Sequence, residues 1–336
     1  MILLLTASQD TYITDKIFNN RFRVKDANLG AAATLDLFKL YGESVSGSDS
    51  SPTELSRILI KFDTTPLRNE LSNINISHSS FNCKIKLFDV YGGQTCPSNF
   101  KLIVHPLSKS FDEGLGIDVN SFQDIGSCNF ITSSFSSGEV QKWNAEGASN
   151  EGFLGDNDLD IIGSGNLNDG LGDVFLYAEQ SFETGVEDLY VDITKIMSAT
   201  MANIDNDDLI PDLGFRIAYS GSFETNQKSY FVKRFASRHV SNPRIRPRIE
   251  VRYNDSMIDH TSDMFFDMSG SLFLRNFERG TPSNIKYPDE TDVLRTLTGN
   301  ECMTLRLVSG EFEKTYKVSQ AVKNGIVQTG IYTGSI

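Results

Sequence analysis

Asp156, Asp158 and Asp160 stand at alternate positions in "DNDLDIIGSGNL", the way a calcium loop begins, with hard carboxylate oxygens spaced to converge on one cation. The remainder of the run departs from that loop. Ile161 falls where the sharp turn needs glycine, and Leu167 falls where a bidentate glutamate should close the site, which excludes an EF-hand. Irregular loops gather carboxylates and carbonyls in other geometries, so these three aspartates are the candidate ligands of a loosely bound calcium ion. No other cofactor is expected. The acidic run at 205–208, "DNDD", offers the same donors with less order.

Trp143 is the only tryptophan and the candidate for contact with a sugar, because carbohydrate sites combine a planar aromatic face with polar groups. It reads more readily as a structural anchor, since a large aromatic buries so much area in a core. Enzymatic signatures fail in turn: there is no G-x-S-x-G, no H-E-x-x-H and no P-loop. His78, His105, His239 and His260 show no ligand spacing, and the glycines of "GSGNLNDGLG" lack the strand-to-helix context of a phosphate cradle. Cys83, Cys96, Cys128 and Cys302 form no CxxC pair and are expected to be reduced and structural, with Cys83 and Cys96 the nearest pair for a bridge. No catalytic residue is assigned, and no enzyme is expected.

A net charge of -13 over 336 residues opposes a general affinity for nucleic acid, which needs a positive field over the docking surface. The stretch "ASRHVSNPRIRPRIEVRYND" runs against that balance. From Arg244 onward Ile245, Pro247, Ile249, Val251 and Tyr253 alternate with Arg244, Arg246, Arg248, Glu250 and Arg252. A pleated strand sends the two sets to opposite sides, so the arginines line the wet face of a strand whose other face is core, with Pro247 near its start or on an edge.

The same period of two recurs along the chain. Ile58, Ile60 and Phe62 share one face, as do Leu189, Val191 and Ile193, and again Leu213, Phe215, Ile217 and Tyr219. Helical spacing is confined to Leu67, Leu71 and Ile74, and to Ile193, Met197, Met201 and Ile204. Turn-rich tracts lie near residue 41, near 133 and from 144 to 173, the last reading as a large excursion from the core. After Tyr253 a polar run leads into renewed alternation, with a turn at Ser309-Gly310, so the division expected is residues 1–253 and a smaller β domain at 254–336. No stretch approaches the roughly 20 apolar residues that span a bilayer, and the start "MILLL" reads as a first strand. A soluble protein that folds in a cytoplasm is expected.

Four segments, in order, carry a resemblance: "DTYITDK" with "DANLGAAATLDLFK", then "SRILIKFDTTPL", then "LSKSFDEGLGID" with "QKWNAEGA", and last "YFVKRFASRHVSNPRIRPRIEVRY". Residues 1–253 thereby resemble a DNRLRE-type domain, a jelly-roll relative of carbohydrate-binding modules. Two places depart from that pattern: the usual Ser-Trp-x-Glu is Ser110-Phe111-Asp112-Glu113, and the acidic residue after the late Ser-Arg is His239. Joined to the C-terminal segment, the chain is similar to virion proteins of large tailed phages, where jelly-roll modules serve as neck or collar, baseplate, fibre or head-decoration parts.

The resemblance implies an all-β protein, a jelly-roll β-sandwich followed by a smaller C-terminal β domain. It implies a non-enzymatic structural role in the virion, made and assembled in the host cytoplasm, with other virion proteins and copies of itself as partners. Neither nucleic acid nor membrane insertion is expected. The alternative is a glycan-binding module or adhesin that meets a host-surface glycan through loops at one end of the sandwich, with Trp143, Asp156, Asp158 and Asp160 as contact candidates.

Overall fold

A computed structural model describes the chain except for residues 20, 43–51, 72–73, 94, 168–169, 203–209, 255–258, 263–268 and 324–325. The 205–208 run, Ile204 and most of the turn-rich tract after residue 41 therefore lie outside the described residues. Strands hold 47% of the chain and helices 7%, which makes the protein all-β. It divides into two compact units, one of Met1–Asn69 and Ile76–Tyr253, the other of Glu70–Asn75 and Asn254–Ile336.

The first unit is a sandwich-like sheet whose principal strands are β1 (Ile2–Thr14), β2 (Thr34–Tyr41), β3 (Thr53–Phe62), β4 (Asn82–Leu87), β5 (Phe100–Pro106), β6 (Ala178–Phe182), β7 (Leu189–Asp192), β8 (Phe215–Tyr219), β9 (Tyr230–Ala236) and β10 (Arg248–Arg252). Their order is β6-β5-β8-β3-β1-β10-β4-β7, with β9 and β2 branching from β3, and every pairing is antiparallel. Strand β1 joins the two halves: Ile2–Thr6 pairs with β10 and Ala7–Thr14 with β3, and the register slips between Ala7 and Gln9. A bulge there bends the strand and lets one chain serve two sheet faces. The terminal strands are bridged by one side chain, because Gln180 donates to Asp188 O at 2.8 Å and accepts from Tyr190 N at 2.6 Å.

The arginine-studded segment folds as its alternation predicts from Arg248 onward, whereas Arg244 and Arg246 fall outside the strand. Ile249 and Val251 are fully buried and Tyr253 is 6% exposed, whereas Arg248 and Glu250 are half-buried and Arg252 is exposed. Pro247 directly precedes β10, after a 3-10 turn at Pro243–Ile245. Strands β3 and β8 depart from the expected alternation: Leu59 is as buried as Ile58 and Ile60, and all five residues of β8 are buried. The second face of these strands is covered by the loops after β5. Ile13 and Leu59 pack there with Leu107, Phe111, Cys128, Phe130, Trp143, Ala148 and Ile161 in one cluster.

The tract from 144 to 173 is thus no excursion. It holds a small ladder of Glu151–Phe153, Ile161–Asn166 and Asp173–Phe175, and its Gly147 and Ala148 carbonyls accept from Arg57 at 2.7 Å and Arg216 at 3.0 Å. Polar, glycine-rich sequence can be packed when buried side chains satisfy its backbone. Helices are short: α1 (Thr65–Glu70) buries Leu67 and ends before Leu71 and Ile74, α2 (Thr194–Ala202) buries Met197 and Met201, and α3 covers Ser222–Thr225. All four cysteines are free, so Cys83 and Cys96 are not bridged.

The second unit is built on β11 (Ser271–Arg275), β12 (Met303–Ser309), β13 (Phe312–Lys323) and β14 (Ile326–Ser335), in the order β11-β14-β13-β12. The turn at Ser309-Gly310 joins β12 to β13, with Ser309 opposite Phe312.

Candidate functional site

The residues singled out from sequence are placed as follows. Trp143 is 5% exposed inside the cluster of Phe111, Phe130 and Ile161, and its indole N–H donates to Asn129 O at 2.9 Å. It presents no face to a sugar and acts as the anchor of its loop. Asp160 is fully buried and accepts from Asn144 N at 2.7 Å, Ala145 N at 2.9 Å and Asn150 N at 3.0 Å. Its carboxylate closes a backbone turn, and those bonds occupy the oxygens a cation would need. Asp156 and Asp158 are exposed; Asp156 accepts from Phe153 N at 3.0 Å, and the backbone oxygen of Asp158 accepts from the Asn150 side chain. Of the histidines, His105 is 1% exposed against Arg216, and His78 bonds to Ser80 at 2.8 Å.

The residues that do converge come from three of the four segments of the resemblance. Asp10 sits on β1 just past the bulge, opposite Ile60 of β3. Glu113 sits in the loop after β5, and Arg238 and His239 follow β9. The Arg238 guanidinium grips Glu113 with both arms: Nε donates to Oε1 at 2.6 Å and Nη2 donates to Oε2. The backbone N–H of Arg238 donates to Asp10 Oδ2 at 2.6 Å, and that of Asp10 donates to Glu113 Oε1 at 2.9 Å. His239 Nε2 lies 3.2 Å from the same Oε1.

The Asn28-Leu29-Gly30 turn explains how Glu113 is held. Asn28 Nδ2 donates to Glu113 O at 2.8 Å and to Cys128 O at 2.7 Å, while its Oδ1 accepts from Gly30 N at 3.2 Å and Gly116 N at 2.8 Å. Gly30 is required by close approach, since a Cβ there would lie 1.8 Å from Glu113 O.

Asp10 is fully buried, and its Oδ1 has no hydrogen-bond partner. Burial pushes its carboxyl up to about 7; the Arg238 N–H opposes that, and the Glu113 charge adds to it. Arg238 is held above its ordinary range by the bond to Glu113. A carboxyl poised near neutrality is a possible proton donor, but one with no exposed surface cannot reach a substrate.

Asp10, Glu113 and His239 also offer ligand atoms within 4.8 Å of one another, the one such group among the described residues. Arg238 already supplies the cation. A divalent ion would have to displace a guanidinium fixed through both its side chain and its backbone, so the geometry is that of an internal clasp. Spacing along the chain does not single out this cluster, although Glu113 closes the Ser110-Phe111-Asp112-Glu113 stretch and His239 stands where the resemblance leads one to expect an acidic residue. No family model matches the chain, and no curated protein matches it in sequence.

Proposed function

We propose that the chain is a non-enzymatic structural component of a tailed-phage virion, acting through assembly contacts with copies of itself and neighbouring virion proteins. One observation carries the assembly part. Among its described residues the second unit buries five apolar side chains, Ile74, Leu272, Val318, Ala321 and Tyr332. It exposes eight large ones, among them Phe277 at 58%, Leu294 at 67%, Val308 at 59% and Phe312 at 73%. Apolar surface in that proportion favours burial against a partner, as at an assembly interface.

The terminal strand β12 adds to this. It runs seven residues without proline or register slip, and Met303, Leu305 and Leu307 alternate with Thr304, Arg306 and Val308. A long, regular terminal strand is a template for further pairing. The phage setting rests on the family resemblance, and the net charge of -13 would keep free subunits soluble and steer them to basic partners.

Light scattering of the full chain tests assembly, with Val308→Lys and Leu294→Lys as variants. A concentration-dependent oligomer that the two lysines weaken is the expected result. A monomer at every concentration, together with absence of the chain from purified particles, would end this reading.

A glycan-binding role is the second reading, and three rings favour it. Phe18, Phe22 and Phe122 pack with centroids 5.8 to 6.3 Å apart, and Phe22 is 47% exposed. Glycan-array binding that is lost in Phe22→Ala and kept in Val308→Lys would select this role over assembly.

A further inference from the structure

Three arginines stand at one pocket of the first unit. Arg238, Arg246 and Arg248 line a cavity of about 260 Å³ whose other walls include Thr6, Leu4 and Pro243. No acidic residue lines it. This is a local reversal in a chain with 44 acidic and 31 basic residues.

The three arginines are not equivalent. Arg238 is committed to Glu113, and Arg248 donates to Glu250 Oε1 at 3.1 and 3.2 Å while lying 4.8 Å from the centre of the Phe88 ring. Arg246 has no carboxylate partner among the described residues. Its Nε and Nη2 share a single acceptor, Val240 O, at 3.2 and 3.1 Å. A planar guanidinium has five N–H donors in a fork that fits two oxygens of one anion, so Arg246 carries unused donors at the wall of a pocket that no acidic residue lines. The other two arginines are charge-compensated by Glu113 and Glu250, which leaves Arg246 as the one arginine of the three without a carboxylate partner among the described residues.

We propose that this pocket binds a small oxyanion, a phosphate or carboxylate carried on a ligand no larger than a sugar ring. Arg246 is the principal contact, the Thr6 hydroxyl a second donor, and Leu4 and Pro243 the apolar wall for the body of the ligand. Size sets the limit. At about 30 Å³ for each water displaced, the cavity exchanges roughly nine waters, enough for a phosphate or uronate and too few for a peptide segment. The inference is independent of the assembly role, because it concerns residues of the first unit only.

The test is titration of the full chain with inorganic phosphate, glucose 6-phosphate, glucuronate and neutral glucose, at ionic strength held constant with sodium chloride, read by calorimetry and melting temperature. Arg246→Gln is the informative variant: its side chain bonds only Val240 O, so the fold should survive, as circular dichroism would verify. Arg306→Gln, in the second unit, is the control. At least one anion should bind saturably and raise the melting temperature, glucose should not, and Arg246→Gln should weaken binding by about tenfold or more while Arg306→Gln leaves it unchanged.

Phosphate and glucuronate distinguish the two headgroups. An equal effect from chloride alone, or undiminished binding by Arg246→Gln, would overturn the proposal. So would a change in sedimentation of Arg246→Gln with no small-anion response, which would assign the pocket to an acidic side chain of a second copy.

Discussion

Arg238 and Glu113, 125 residues apart in the chain, form a two-armed ion pair that closes the end of the β1–β3 half of the sandwich over Asp10. The pair joins the loop after β5 to the segment after β9, and Asn28 buttresses Glu113 from behind. Removing one member leaves a largely buried charge without its counterion, which costs more than the pair itself contributes.

Arg238→Ala should therefore lower unfolding free energy by about 3 kcal/mol, since the largely buried Glu113 carboxylate then has no guanidinium counterion. Arg238→Lys keeps the charge and loses the fork, and about 1 kcal/mol is expected. Urea unfolding of both variants checks the order; equal losses would show that charge alone matters.

Asp10 gives a pH signature. Its carboxyl titrates near 7 in the folded chain and near 3.8 unfolded, so the folded state holds the extra proton between those values. Its contribution to stability is complete below about pH 4 and is lost as pH rises through 7, on the order of 4 kcal/mol in all. Asp10→Asn mimics the protonated form, so the variant should lose less stability than the wild type between pH 5 and 8. Parallel melting curves for the two proteins across that window would contradict the assignment.

Gly30→Ala places a methyl group onto the Glu113 carbonyl and should cost about 3 kcal/mol, because a backbone atom must shift. Gly42→Ala is the contrast: its Cβ would meet nothing within 4 Å, so only the strain of its positive φ of 96° applies. Thermal denaturation should rank Gly30→Ala as the less stable.

Trp143→Ala empties a site in the cluster of Phe111, Phe130 and Ile161 and should cost about 3–5 kcal/mol. Trp143→Phe, which keeps most of the volume and loses the bond to Asn129 O, should cost less. Fluorescence of the sole tryptophan should be blue-shifted and poorly quenched by iodide; a solvent-like spectrum would place the ring outside the core.

Calcium should not stabilise the loop through Asp160, whose oxygens accept three backbone N–H groups. Melting temperatures with calcium and with a chelator should agree, and Asp160→Ala should lower stability by about 3 kcal/mol from unpaired donors. A calcium-dependent rise lost in Asp156→Asn would reverse this.

The sequence alone determined what depends on near neighbours. Ile249, Val251 and Tyr253 alternate with Arg248, Glu250 and Arg252, and a pleated strand turns that rhythm into a dry face and a wet one whatever surrounds it. The all-β class and the sandwich followed from the same rhythm. Tertiary structure alone decided which strands are covered twice. Leu59 and Arg216 are buried because polar loops fold back over β3 and β8, and no local period reports that. It also decided the cluster of Asp10, Glu113, Arg238 and His239, whose members stand one or two to a segment and acquire a common role only where the bulge in β1 and the glycine turn at Gly30 bring them within bonding distance. Spacing along a chain constrains faces, whereas the meeting of distant side chains is fixed by sheet order and loop path, which only the folded molecule holds.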